Sequence, residues 1–480
     1  MSLNITHSPY RRTKIVCTIG PNTSSATMIK ELLQAGMDVA RINFSHGTYK
    51  EHTSYIKTLR QVAKKAGVPL AIMQDLPGPK NRTGKLKRGS IELKENADII
   101  LTTKEILGDE RRVSVGLPYL PSIVKPGDMI FLDDGAIELK VAATSKTEVR
   151  CQIVAGGKLG EDKGINIPGT TWDTSTTTDN DWDHIAFGLR HNVDFIALSF
   201  IREANDVTKV KNFIRKKKKT TALIAKIERS EALDNLDEIL EAADGAMVAR
   251  GDLGVEIPIQ RVPIVQKEII QKCNHLGKPV IVATQILESM VNAPRPTRAE
   301  VTDVANAIFD GADALMLSEE TAVGSYPVEA VSMMAQIALE AETALPYEEI
   351  MINKGKYLQP QTDDAISYAA CHTANQLGAA AIIAFTSSGS TARRVAKYRP
   401  RVPILAITPS QVTQRQLSLS WGVRAFQIPE PSKIAMLFAR GARVAKKTGL
   451  AKDGDLVVIT GGVPIGISGS TNLLKVEKVK

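Results

Sequence analysis

The chain has 480 residues, 43% hydrophobic and 24% charged, enough apolar material for several cores, which excludes wholesale disorder. No window approaches the ~20 apolar residues of a membrane helix, and Met1–Tyr10 lacks the apolar core of a secretory signal. Net charge is +9, which favours anionic partners, while an aromatic content of 5% leaves few stacking platforms for nucleic acid. Neither a membrane nor a nucleic acid is expected as partner. The four cysteines, Cys17, Cys151, Cys273 and Cys371, stand far apart and fit a reduced, cytoplasmic setting.

Continuous apolar runs, typical of buried parallel strands, occur at 13–19, 37–43, 70–74, 193–199, 222–227, 245–249, 280–283 and 314–317. Between most of them lie helical periods, at 26–35, 49–66, 206–217, 232–242, 263–276 and 298–309. The basic run Arg215–Lys219 falls where one of these helices ends and suits its dipole. Eight βα units predict an α/β fold, a (β/α)8 TIM barrel, with an open doubly wound sheet as the competing arrangement.

From Leu76 to about Gly169 the helical rhythm stops. Alternating segments at 91–93, 130–132, 137–141 and 149–153, punctuated by Pro126-Gly127 and Gly156-Gly157, predict a small β domain inserted after the third strand, where it can act as a lid. After Leu345 a linker is expected at 354–362. A shorter α/β block follows, with a helix at 365–377 and strands at 381–386, 404–407 and 456–460. The expected division is 1–75 with 170–345 for the barrel, 76–169 for the inserted lid and 346–480 for a C-terminal α/β domain.

Barrel enzymes draw their chemistry from the C-terminal ends of the strands. Those ends here carry Arg41/Asn43/Ser45, Asp75, Lys226/Glu228, Arg250/Asp252, Thr284/Gln285 and Ser318/Glu320. Glu228 and Asp252 follow adjacent strands, and their carboxylates suit a magnesium or manganese ion or, equally, ordinary salt bridges. Lys226 beside them keeps its proton and reads as a charge stabiliser, with Schiff-base chemistry as the competitor. Arg41 emerges from a core strand as a phosphate fork or a structural ion-pair partner. Ala249-Arg250-Gly251-Asp252 places backbone N–H groups at the start of a short helix, a place for a carboxylate or phosphate.

The strings Lys14–Pro21, Ala40–Gly47, Ala225–Arg229, Met247–Glu256, Ala283–Met290 and Met316–Ala322 closely resemble those of pyruvate kinases, in the family's order. The resemblance implies a barrel, a β lid after the third strand and a C-terminal effector domain. It also implies phosphoryl transfer from phosphoenolpyruvate to ADP, giving ATP and pyruvate, usually in a homotetramer. By the same resemblance Glu228 and Asp252 hold the divalent ion, and Lys226 and Arg41 stabilise the moving phosphoryl group. Ala249, Arg250, Gly251, Asp252 and Thr284 take the substrate carboxylate, Thr284 and Ser318 border the enolate, and Asn43, His46 and Arg82 face the nucleotide. Asn43, Ser45, Asp75 and the carbonyl of Leu76 form a monovalent-cation site.

Two departures stand out. The run after the third strand reads Asp75-Leu76-Pro77-Gly78-Pro79-Lys80-Asn81-Arg82, with Lys80 where potassium-requiring members have Glu, so potassium dependence is doubtful. Thr178-Asp179-Asn180-Asp181 lacks a lysine that often meets the nucleotide phosphate. Thr386-Ser387-Ser388-Gly389-Ser390-Thr391, between a strand and a helix, has the make-up of a phosphate nest for an allosteric effector. The competing functions are a metal-dependent barrel aldolase acting on phosphoenolpyruvate or a 2-oxo acid, and a catalytically silent metabolite sensor.

Overall fold

The computed structural model describes residues 10–79, 81–133, 135–169, 176–429, 434–464 and 469–480; Lys80 lies outside the described residues. Eight parallel strands close into a barrel: β1 (Lys14–Thr18), β2 (Val39–Asn43), β3 (Ala71–Asp75), β4 (Phe195–Leu198), β5 (Ala222–Ile227), β6 (Gly245–Ala249), β7 (Val280–Ala283) and β8 (Ala314–Leu317). Each pairs with its neighbours in sequence order, and β8 returns to β1, which removes every edge and settles the choice against an open sheet. Continuous apolar runs were the right signal, because both faces of every strand are covered. One face packs on the surrounding helices, and the other fills the interior with Val16, Met73, Phe195, Ile224, Met247, Ile281 and Met316.

The helices begin and end where local chemistry dictates. Tyr49–Ala66 starts with a reciprocal cap between Thr48 and Glu51 and stops at Gly67, which takes the left-handed conformation that a glycine adopts without strain. The same cap recurs at Thr178/Asp181 and Thr297/Glu300. The single helix expected over 232–242 is two, Ser230–Asp234 and Leu236–Ala242.

Between β3 and β4 the chain forms a separate β unit with its own core, including Ile99, Leu101, Ile130, Leu139 and Cys151. Its six-stranded sheet runs in the order Ile165–Asn166, Met129–Leu132, Ile137–Thr144, Glu148–Ala155, Asp98–Thr102, Arg112–Ser114, and a two-stranded ribbon joins Gly157–Gly160 to Ser90–Leu93. Beyond the barrel, helix Tyr347–Gly355 carries regular structure into the first two residues of the expected linker. A five-stranded sheet follows in the order Val423–Gln427, Ile404–Thr408, Ala381–Phe385, Leu456–Gly462, Thr471–Lys478, parallel except for the last strand.

The C-terminal domain seals the foot of the barrel, the end opposite the site. Leu419, fully buried, joins the interior cluster of the barrel itself, a burial that contributes roughly 2 kcal/mol. Around it runs a fourfold repeat. Asp38, Asp194, Asp244 and Asp313 each stand immediately before an even-numbered strand, and each accepts an N–H from the first or second residue of the preceding odd strand, from Ile15, Ile72, Leu223 and Val280 at 2.9, 2.8, 2.9 and 3.1 Å. Arg11 and Lys211 of the barrel balance Asp38 and Asp244, both at 2.8 Å. Asp194 is shared by Arg60 of the barrel and Arg415 of the C-terminal domain, and Asp313 pairs with Arg399 of that domain at 2.9 Å.

Candidate active site

The polar groups at the strand ends meet at the opposite mouth. Asp75, the last residue of β3 and 1% exposed, sits between two cations: Arg41 Nε donates to Oδ2 at 2.6 Å, and Lys226 Nζ lies 3.2 Å from Oδ1. Arg41 also donates from Nη1 to Thr18 Oγ1 at 2.9 Å, and that hydroxyl is fixed by the Leu317 carbonyl. The ion pair expected of Arg41 is present, and with the Thr18 bond it fixes the direction of the guanidinium.

Lys226, next to last in β5, has three oxygens around its ammonium: Ser199 Oγ hydrogen-bonded at 2.7 Å, and the ion-pair oxygens Glu228 Oε1 at 2.7 Å and Asp75 Oδ1 at 3.2 Å. Burial works against the charge, but Asp75, Glu228 and Asp252 outweigh it and raise the lysine pKa. An amine held as an ammonium between carboxylates is a poor nucleophile, which weighs against the Schiff-base alternative. In Asp75 the balance runs the other way: burial raises the carboxyl pKa, yet Lys226 and Arg41 overcome it and hold the group ionised.

Glu228 is 1% exposed; its Oε2 accepts the Phe200 N–H at 2.8 Å, while Oε1 faces Lys226 without the angle of a hydrogen bond. Burial, with the nearby charge of Asp252 adding to it, raises its pKa. Among the described residues no cluster of three or more His, Cys, Asp or Glu could cage a metal by itself. A buried carboxylate with an unbonded oxygen, next to a second carboxylate, fits a hard divalent ion that takes its remaining ligands from water and substrate.

On β6 and β7 the sequence reading needs refinement. Arg250 does not face the mouth with a free guanidinium. It donates to the carbonyls of Thr284 (2.8 Å) and Gln285 (3.1 Å) and pairs with Asp303 at 2.8 Å, so it braces the β7 loop. Gly251 N–H donates to Thr284 Oγ1 at 2.8 Å, and Thr284 Oγ1 donates to the Ala283 carbonyl. Ser318 N–H donates to the buried Glu320, which also accepts the Leu287 N–H and so ties the β8 and β7 loops together.

The nucleotide candidates lie further out. Asn43 Oδ1 accepts the Ser45 N–H at 3.0 Å, and His46 is exposed one residue beyond. Arg82 belongs to the lid segment, and its Nη1 donates to the Asp162 carbonyl there. Asn180 is exposed on the first turn of helix Asp179–Arg190. In the C-terminal domain, Gly389 N–H donates to Thr386 Oγ1, Ser388 Oγ to Ser390 Oγ, and Thr391 bonds Thr471, all at the start of helix Ser390–Lys397.

Sequence reasoning passed over Ser199, Thr18 and Asp303, which hold Lys226, Arg41 and Arg250. Ser199 closes the fourth apolar run, so a hydroxyl at a strand end was a signal within reach.

Fold and mouth together define a (β/α)8-barrel enzyme for an anionic substrate. A family model described as pyruvate kinase, barrel domain, matches residues 10–331, and one described as pyruvate kinase, alpha/beta domain, matches residues 364–477. The chain is 49% identical over 472 residues to a pyruvate kinase of Geobacillus stearothermophilus and 47% identical over 471 residues to one of Staphylococcus aureus strain MRSA252, in each case across 98% of this chain and 80% of the relative. A crystal structure of a pyruvate kinase from Cryptosporidium parvum has a TM-score of 0.92 at 36% identity, covering 98% of this chain and 97% of the other. The chain belongs to the pyruvate kinase family and is a phosphotransferase.

Proposed function

We propose that this enzyme moves a phosphoryl group from phosphoenolpyruvate to ADP at the barrel mouth. The observation that carries the reading is Lys226, held as an ammonium between Asp75 and Glu228 and flanked by Arg41. The bond from phosphorus to the enol oxygen breaks, and a bond from phosphorus to a terminal ADP oxygen forms. Arg41 and Lys226 neutralise charge on the transferring group, which is most of what phosphoryl transfer asks of a protein. Glu228 and Asp252 would hold magnesium or manganese, which when bound supplies further positive charge to the phosphoryl oxygens.

The Ala249–Asp252 turn with Thr284 receives the substrate carboxylate, and in doing so the carboxylate replaces the Thr284 hydroxyl on the Gly251 N–H. Thr284 and Ser318 border the enolate as it gains a proton at carbon. Asn43, His46 and Arg82 face the nucleotide, Arg82 arriving with the lid. The monovalent site of Asn43, Ser45, Asp75 and the Leu76 carbonyl is dispensable here, because the Lys80 ammonium supplies the charge that potassium supplies elsewhere. Thr386–Thr391 binds a phosphorylated activator, and the enzyme works as a homotetramer in the cytoplasm.

The test is a coupled assay of purified protein with phosphoenolpyruvate, ADP and magnesium. Pyruvate should form in proportion to ADP consumed and cease on chelation. Pyruvate release without ADP points instead to the aldolase or lyase class, and none in any mixture to the silent sensor.

A further inference from the structure

Ser199 has no role in the reading above, yet it touches the centre of the site. It follows β4, which pairs with β3 through Ala197 and Asp75 and with β5 through Leu198 and Ala225, so its side chain hangs over the gap between Leu76 and Lys226. The residue is 4% exposed. Its hydroxyl proton is committed to the Leu76 carbonyl at 2.7 Å, so toward Lys226 Nζ, also at 2.7 Å, the oxygen can only accept.

We propose that Ser199 is a positioning residue that orients the Lys226 ammonium for phosphoryl transfer, an inference that rests on the role given to Lys226 above. The ammonium makes its directed hydrogen bond to the Ser199 hydroxyl oxygen, while Asp75 and Glu228 attract the charge from two other sides as ion-pair partners. The pull of the two carboxylates has little directional preference; the neutral hydroxyl supplies a fixed direction and stops the head group from rotating between them. The same strand end acts on the partner of the lysine, because Phe200, at φ +56°, donates its N–H to Glu228 Oε2. Two consecutive residues of one loop thus hold both members of the Lys226–Glu228 pair. The hydroxyl also pins the carbonyl of Leu76, so one side chain links the proposed monovalent site to the transferring lysine.

The experiment is a double-mutant cycle on the full-length enzyme with Ser199→Ala, Ser199→Thr, Lys226→Met and Lys226→Met/Ser199→Ala, with melting temperatures measured alongside steady-state kinetics. Ser199→Ala should lower kcat about 30-fold and leave KM for phosphoenolpyruvate within about threefold, and Ser199→Thr, which keeps the hydroxyl, should recover most of the loss. If Ser199 acts through Lys226, the double variant is no slower than Lys226→Met alone. Turnover of Ser199→Ala within threefold of wild type, or fully additive losses, overturns the proposal. So does a large drop in melting temperature that accompanies the loss and persists in Ser199→Thr, since that marks a purely structural role. Near-normal turnover of Lys226→Met overturns the parent reading as well, whereas an inactive Lys226→Met beside a normal Ser199→Ala overturns only this inference.

Discussion

Thr284 accepts the Gly251 N–H at 2.8 Å while its own backbone stands at φ +67°, with Gln285 following at φ +52°. A β-branched residue seldom occupies that region, where strain costs on the order of 1–3 kcal/mol. The strain is held by Arg250, whose guanidinium grips the carbonyls of both residues. Thr284→Val keeps the shape and removes the hydroxyl proposed to meet the substrate, so kcat/KM for phosphoenolpyruvate should fall about 100-fold, and Thr284→Ser should stay within tenfold. Comparable kinetics for the valine and serine variants would show that the hydroxyl has no part in the reaction.

Lys226→Met should lower kcat by ~10³ or more while phosphoenolpyruvate binding changes less. The structure adds a second consequence: the substitution leaves Glu228 buried without its ion-pair partner Lys226, and Asp75 buried with Arg41. Removing one partner of a buried pair costs about 3–5 kcal/mol. Calorimetry should therefore show a lower melting temperature together with the lost turnover; an unchanged one would mean that the carboxylates are satisfied in some other way.

Potassium should have no effect on the initial rate when ionic strength is held by a bulky organic cation. Lys80→Glu should create a potassium requirement, because it exchanges the tethered cation for an anion. A wild-type rate that is near zero without potassium and rises as the salt is added contradicts the assignment.

Lys354 at the interface with the C-terminal domain provides a pH test away from the mouth. Its ammonium donates to Asn274 Oδ1, and burial, followed by the charge of Arg399, lowers its pKa to about 7, with Asp313 opposing the shift. The unfolded chain titrates near 10.4. Between these values the unfolded state binds more protons, so this group makes stability rise with pH and imposes its full penalty below about 7. Lys354→Met should raise the melting temperature by a few degrees at pH 6.5, and the advantage should shrink toward pH 10. A difference that stays constant across that range rules out this linkage.

Arg399→Leu should destabilise the protein by about 3 kcal/mol, because Asp313, buried at the foot of β8, loses its cation while still accepting the N–H groups of Val280 and Trp421. Denaturant titration would measure it. Asp313→Asn should cost less, since an amide oxygen still accepts.

The barrel was legible because a doubly covered parallel strand must be apolar throughout: the runs at 222–227, 245–249, 280–283 and 314–317 coincide with β5 to β8. Strands Asp98–Thr102 and Val423–Gln427 went unseen; the first is bounded by polar residues at both ends, and Arg424 interrupts the apolar run of the second. Thr471–Lys478 pairs antiparallel at a sheet edge, and its lysines and glutamate hide the pattern. At the mouth, charged residues announced themselves, whereas the groups that aim them did not. Arg250 was legible as a cation but not as a brace, because its direction depends on Asp303 and on carbonyls of another loop. The foot aspartates escaped notice because the lid insertion breaks their spacing and one Asp before a strand has no periodicity.

Those aspartates bear on how far the chain can be taken apart. Asp194 and Asp313 precede β4 and β8, on opposite sides of the barrel, and both draw a cation from beyond residue 390, while Leu419 fills the interior between them. The barrel does not contain everything that it needs to close its own base. Proteolytic nicking in the 356–361 stretch should therefore leave two fragments that co-elute and lose structure together. A transplant of this C-terminal domain onto another barrel should succeed only where the recipient presents acidic residues before its fourth and eighth strands.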